Sequence, residues 1–246
     1  MTIVTAAILV IGDEILSGRT QDTNTNYIAR WLNEIGIDLM EARVVTDVEA
    51  DIVAALNALR ARYTYVFTTG GIGPTHDDIT AEAVAAVFGV PLGVDKEAYR
   101  RLEAHYGAAD FTPARQRMAR VPEGGILIDN PVSIAPGFQV GNVFVMAGVP
   151  KIMQAMLEHI RDRLQGGQTM LSNAVTIMAP ESKMAGAIGD IQAANPNTAI
   201  GSYPFMEAQR FGCQIVVRAR TQADIDKAIA SVVAYADGEQ FDYEKN

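Results

Sequence analysis

An α/β fold with a mostly parallel sheet, extended by a small α+β unit, is the class this sequence predicts. Three observations carry that expectation. Apolar strand-like runs alternate with stretches of helical periodicity from residue 5 to residue 164. The run Ala6-Ala7-Ile8-Leu9-Val10-Ile11 is continuously apolar, as in a strand with both faces covered by helices. Past Gln165-Gly166-Gly167-Gln168, the best linker in the chain, the order becomes strand, helix, strand, strand, helix.

The first strand, Thr5 to Ile11, ends in Gly12-Asp13-Glu14. Ile28, Trp31, Leu32 and Ile35 then keep helical spacing, with Asp22 or Thr23 placed to cap that helix and Gly36 to end it. A second strand over 38–45 precedes a helix over 49–62, whose apolar face is Ile52, Val53, Leu56 and Leu59. A third strand over 65–69 runs into a glycine loop, and a helix follows through Phe88. Right-handed crossovers would bring the strand ends at Gly12, Asp47 and Gly70 to one edge of the sheet. Residues 95–105 read as helical, 137–140 and 143–147 as a hairpin turning at Gly141-Asn142, and 151–164 as a helix. In the second unit strands are expected at 173–178, 198–203 and 214–219, and helices at 181–194 and 223–236. The expected domains are therefore 1–166 and 169–238, with 239–246 as a frayed polar tail. The order of elements in the smaller unit is KH-like, but it carries neither a G-x-x-G loop nor a basic stripe, which disfavours RNA binding; a structural or dimerisation role is expected instead.

Composition narrows the class of function. A formal net charge of −9 disfavours nucleic acid and anionic membranes as partners, because both need a basic surface. No apolar run approaches the ~20 residues that span a bilayer. The start of the chain lacks a basic leader, and the single cysteine, Cys213, suits a reducing compartment, so a cytoplasmic protein is expected.

The chemistry concentrates in Thr68-Thr69-Gly70-Gly71-Ile72-Gly73-Pro74-Thr75-His76-Asp77-Asp78. Gly70, Gly71 and Gly73 leave backbone N–H groups open to a phosphate, and Thr75 adds a hydroxyl. Asp77 and Asp78 repel phosphate unless a cation lies between, so the pattern implies Mg²⁺ or a similar hard ion. Asp78 as a mere helix cap is the plainer reading. Gly12, Asp13, Asp22, Asn24 and Asp47 stand at neighbouring strand ends, either as ligands of that ion or nucleotide or as turn and cap residues. Arg115, Arg117 and Arg120 form the densest basic cluster of an acidic chain, read either as a phosphate clamp or as the solvated face of a helix. His76 reads as a loop residue, Cys213 as packed at a strand edge, and Met153 and Met156 as core.

Taken together, Thr69-Gly70-Gly71-Ile72-Gly73-Pro74-Thr75-His76-Asp77-Asp78 resembles the T-G-G-x-G-P-T-x-D-D signature of the CinA-type branch of the MoaB/Mog molybdopterin-binding family. Gly12 to Gly18, Asp22-Thr23-Asn24, Ala135-Pro136-Gly137-Phe138, Gly148-Val149-Pro150 and Ile200-Gly201-Ser202-Tyr203-Pro204 fall in the same order as in that branch and in the molybdopterin-binding half of FAD synthases. The resemblance implies a three-layer α/β/α domain with its ligand over the glycine loop. It implies that Asp78 and Asp47 serve the metal; in the pyrophosphatase reading Asp78 and Asp77 are the expected catalytic carboxylates, Asp47 or Asp13 completes the metal site, and Ser133, Pro136, Gly137 and, from the basic cluster, Arg117 are expected to contact ligand or phosphate. Its activities are hydrolysis of dinucleotide pyrophosphates such as ADP-ribose or FAD, or adenylylation of molybdopterin, with Mg²⁺ (or Mn²⁺ or Co²⁺), K⁺ as an accessory ion, and a homodimer as the assembly. A molybdopterin- or nucleotide-binding module without turnover is the alternative. The chain departs from the branch at Met118, Ser133, Ile134, Ala147 and Ile152, which stand where the branch usually has Gln, Gly, Thr, Pro and Glu, and this leaves the substrate open. It ends before the amidase domain of full-length CinA proteins, so that activity is not expected of it.

Overall fold

Ala6, Ile8 and Val10 alternate with Ala7, Leu9 and Ile11, and this period of two decides the architecture, because each set is buried against a different layer of helices. The computed structural model describes residues 3–207 and 210–245. The chain divides into a compact unit ending at Gly167 and another beginning at Gln168.

In the first unit the elements follow as β1 (Thr5–Ile11), α1 (Asp13–Leu16), α2 (Asn24–Glu34), β2 (Asp38–Val45), α3 (Glu49–Arg62), β3 (Tyr65–Thr69) and α4 (Thr80–Phe88). Then come β4 (Leu92–Val94), α5 (Lys96–Tyr106), α6 (Pro113–Gln116), β5 (Arg120–Pro122), β6 (Ile126–Ile128), β7 (Gly137–Val140), β8 (Val143–Met146) and α7 (Pro150–Glu158). The main sheet has the order β2-β1-β3-β8-β7-β6. Its first four strands run parallel, and β7 and β6 are antiparallel additions. One face packs on α3 and α4 through Ile52, Leu56, Leu59 and Val84. The other packs on α2 and α7 through Ile28, Trp31, Leu32, Met153 and Leu157. That is the expected three-layer, MoaB/Mog-like fold. The Trp31 indole N–H donates to Glu158 at 2.8 Å, tying α2 to α7.

The helix expected over 151–164 ends earlier, at Glu158, and a 3₁₀ turn covers Arg161–Arg163. Ending the helix there turns Ile160 into the core, where it is fully buried.

The second unit comprises β9 (Leu171–Ile177), α8 (Glu181–Ala194), β10 (Thr198–Glu207), β11 (Arg210–Ala219), α9 (Gln222–Gly238) and β12 (Tyr243–Lys245). Its sheet, β10-β11-β9-β12, is antiparallel throughout. The central hairpin is longer than expected, since β10 continues through Pro204, which pairs with Cys213. Proline is tolerated there because β10 is an edge strand and has no second neighbour asking for its N–H. The expected frayed tail is corrected as well. Tyr243–Lys245 adds a strand beside β9, and Phe241 and Tyr243 pack on that unit's core; Asn246 lies outside the described residues.

Cys213 is fully buried in that core, and burial, then the charge of Glu181, pushes its thiol pKa up. The native protein is therefore expected to resist a disulfide reagent at pH 8 and to release one titratable thiol only on denaturation. Rapid labelling of native protein would contradict this placement.

Candidate functional site

The parallel strands β1, β2, β3 and β8 all end at one edge of the sheet, and β1 has its successors on opposite sides, β2 on one and β3 on the other. A crevice opens at such a reversal because consecutive crossovers leave in opposite directions. Here it is a cavity of about 510 Å³, lined by the Gly70–Gly73 segment, Pro74 and Asp78, by Glu14 and Thr20, by the segment from Ala147 to Pro150 with Ile152, and by Met118, Asn130, Ser133 and Ala135.

The glycine loop is built as tightly as its sequence implies. Gly70 has φ +103°, and a Cβ on it would lie 2.1 Å from the Ile11 carbonyl oxygen. Gly71 has φ +67°, and a Cβ there would strike the Thr80 hydroxyl at 2.1 Å. Thr80 locks the loop from the start of α4: its N–H donates to the Gly71 carbonyl and its hydroxyl to the Gly70 carbonyl, each at 3.0 Å. Gly148 presses against Gly70 from the other side, with its own virtual Cβ 3.3 Å from the Gly70 Cα. Backbone, not side chains, therefore forms this wall of the cavity.

The acidic residues separate into distinct roles. Asp78 lines the cavity, and its Oδ2 accepts from both the N–H and the hydroxyl of Thr75, closing the turn. It does not cap α4, whose first turn receives no side-chain hydrogen bond. Asp77 points to solvent beside the exposed His76. Asp47 accepts from the Asp13 N–H at 2.9 Å, so it joins the strand ends rather than capping α3. Burial raises the Asp47 pKa, the Asp13 amide opposes this, and the negative charges of Asp13, Glu14 and Asp77 raise it further. Asp22 accepts from the N–H groups of Asn24 and Thr25 and so serves the first turn of α2.

Among the described residues no three carboxylate, histidine or cysteine side chains converge as a ready-made ion site. The donor set nonetheless fits Mg²⁺, which is held by one or two carboxylates and completes its octahedron with substrate phosphates and water. Asn24 is buried, donates to the Gly148 carbonyl at 2.7 Å, and leaves its Oδ1 without a hydrogen bond, as does the buried Thr69 hydroxyl. Both line a small chamber of about 50 Å³ that shares Glu14, Thr20, Gly148 and Pro150 with the main cavity.

Several of the expected ligand residues do not line this cavity. Gly12 is buried and donates its N–H to Val45. Pro136 and Gly137 are buried at the start of β7 and do not line the cavity; Gly137 is needed because a Cβ would lie 2.3 Å from the Val145 carbonyl. The arginines form neither an open clamp nor a solvated helix face. Arg115 donates to the Asp110 carbonyl and covers the Tyr106 ring, while Arg117 and Arg120 share the carboxylate of Glu82.

Sequence reasoning passed over Asn130. It is buried, its Nδ2 donates to the Ser133 hydroxyl (2.6 Å) and the Ala135 carbonyl (2.8 Å), and its Oδ1 accepts from the amides of Val132 and Ser133. These bonds hold Ile134 at φ +66°, a conformation costly for a β-branched residue. The Asn130-Pro131 dipeptide, a turn signal, was the available cue. Asn130→Ala is expected to lower stability by about 2 kcal/mol, since each lost bond is worth roughly 0.5–1.5 kcal/mol and water replaces some of them. A chemical-denaturation midpoint equal to that of the parent would show the loop to be held otherwise.

The fold and this crevice define an α/β domain with a backbone-lined glycine loop and the carboxylates of Glu14 and Asp78 in one cavity. The chain belongs to the family described as the probable molybdopterin binding domain, whose model matches residues 7–166, and residues 169–245 match the middle domain of FAD synthase. It is 34% identical over 211 residues to a protein of Pyrobaculum calidifontis, covering 81% of this chain and 80% of that one. It is 31% identical over 240 residues to a CinA-like protein of Myxococcus xanthus, covering 92% of this chain and 56% of the relative's length. The CinA structure of Thermoplasma acidophilum matches 65% of this chain and 98% of its own, at 36% identity and a TM-score of 0.62.

Proposed function

We propose that this chain is a divalent-metal-dependent nucleotide pyrophosphatase acting on dinucleotides of the ADP-ribose or FAD type. The observation that supports it is the meeting, in one cavity, of the Gly71–Gly73 backbone with the carboxylates of Asp78 and Glu14, the Gly70 N–H being given to the Met146 carbonyl. Amides in a closed, rigid turn bind diphosphate oxygens and stabilise charge that builds up on them during cleavage. Asp78 keeps Oδ1 available after Thr75 has taken Oδ2, and Asp47 and Asp13 bring negative charge from the adjoining strand ends. A Mg²⁺ ion held there would neutralise the diphosphate and lower the pKa of a water. The apolar side of the cavity, with Met118, Val149 and Ile152, suits a flat ring.

A metal-by-substrate hydrolysis screen tests the reading. ADP-ribose, FAD and NAD are each incubated with Mg²⁺, Mn²⁺ or Co²⁺, with and without K⁺. Mononucleotide products, resolved by chromatography and dependent on the divalent ion, are expected; intact dinucleotides under every condition would remove the reading. One observation favours a second reading, a molybdopterin- or nucleotide-binding module without turnover: Asp78 is committed to Thr75 through one oxygen. Calorimetric binding without product formation in the same screen would favour it.

A further inference from the structure

Glu82 is shared by two arginines that it holds unequally. Its Oε1 lies 2.6 Å from Arg120 Nη2 and 3.6 Å from Arg117 Nη2. Arg120 makes the short contact, adds an Nε hydrogen bond to the Arg117 carbonyl, and starts β5, where it pairs with Val94 on β4. Arg117 has only long contacts, the other being Nη2 to the Asp78 carbonyl at 3.3 Å, and it stands in a 3₁₀ turn rather than in a sheet. Its Nε is buried without a partner, and so is Oε2 of Glu82. One carboxylate facing two guanidinium groups leaves a positive charge over, in a chain whose formal net charge is −9. That surplus charge touches Asp78, a wall of the cavity, and the next residue, Met118, lines the same cavity.

We propose that Arg117 is a phosphate-binding arginine parked on Glu82, and that it leaves Glu82 for the diphosphate of the ligand while Arg120 stays as the fixed partner. This rests on the diphosphate ligand proposed above, not on its hydrolysis. A diphosphate offers arginine two oxygens in the plane of its fork, whereas Glu82 already gives its best-placed oxygen to Arg120. The exchange costs little because the contacts given up are long, and it keeps Glu82 paired throughout. Arg115 cannot take this part, being committed to Asp110 and Tyr106. The plainer possibility is that Arg117 only steadies the Asp78 turn, with Glu82 as its support.

Glu82→Gln separates the two, because it loosens the parking contact while an amide oxygen can still accept from Arg120. Affinities for ADP-ribose and inorganic pyrophosphate would be measured by calorimetry without divalent ion, alongside thermal midpoints. Arg117→Ala is expected to weaken both ligands about 10-fold, as for one lost charge-assisted contact, with Arg117→Lys recovering part of the loss. Glu82→Gln is expected to tighten both by about 3-fold, since the competing carboxylate charge is gone. If Glu82→Gln weakens binding together with Arg117→Ala, Arg117 is a strut and the proposal falls; unchanged affinity in Arg117→Ala also overturns it. Parent protein that binds pyrophosphate in an Arg117-dependent way but ignores ADP-ribose would remove the nucleotide reading and leave Arg117 in place. Parent protein that binds neither overturns both.

Discussion

Asp78→Asn is expected to reduce dinucleotide hydrolysis by about 10²-fold, the size of effect seen when one charge-stabilising group is taken from a preorganised site. The substitution is nearly isosteric. An amide oxygen still accepts from the Thr75 N–H that Asp78 receives at 2.8 Å, so the turn stays closed and the midpoint of unfolding should move by only a few degrees, about 1 kcal/mol for one weakened bond. What is lost is the negative charge at the cavity wall. Asp77→Asn is the internal control, because Asp77 is exposed and absent from the cavity lining, and its rate should stay within about 2-fold of the parent. The comparison of kcat and KM for the two variants checks this. Equal losses would mean that the pair acts as a general negative field, and no loss in Asp78→Asn would take the carboxylate out of the chemistry.

Gly70→Ala should be the most damaging single methyl in the first unit. Two independent costs add. The backbone sits at φ +103°, which L side chains rarely adopt, and the new Cβ would lie 2.1 Å from the Ile11 carbonyl oxygen. The obstacle is backbone of a central strand, buried on both faces, so it cannot swing aside as a side chain would. Strain of roughly 1–3 kcal/mol and overpacking of similar size give an expected loss of about 4 kcal/mol. For a domain of this size that corresponds to a fall in Tm of about 10 °C. Gly148→Ala, whose Cβ would be 3.3 Å from the Gly70 Cα, is expected to cost far less. Scanning calorimetry on both variants tests the ranking; Gly70→Ala melting with the parent would mean that the loop relaxes at little cost.

The strand ends were readable in the sequence because their signals are local. An apolar run followed by glycine and a carboxylate marks the end of a buried parallel strand, and at β1 and β3 the structure puts those ends side by side. Individual roles were less readable. Asp47 could be written equally as a cap of α3 or as a site residue, and only the position of Asp13, 34 residues away, turned it to the strand-end pair. Pro204 looked like the end of a strand, since a single sequence does not say which strand lies at an edge. The polar stretch after α9 looked like a tail, since the value of Tyr243 as a strand residue depends on the open edge of β9.

By itself, the sequence determined the layered α/β class and the place of the glycine loop, both of which follow from periodicity and local composition, whereas the need for glycine at Gly70 comes from the Ile11 carbonyl that the fold brings against it. Tertiary structure alone decided which acids face the cavity, that Asn130 holds Ile134 in its left-handed turn, and that Arg117 and Arg120 divide one carboxylate. Those are outcomes of contacts between segments far apart in the chain, where a shift of an ångström determines which hydrogen bond is made.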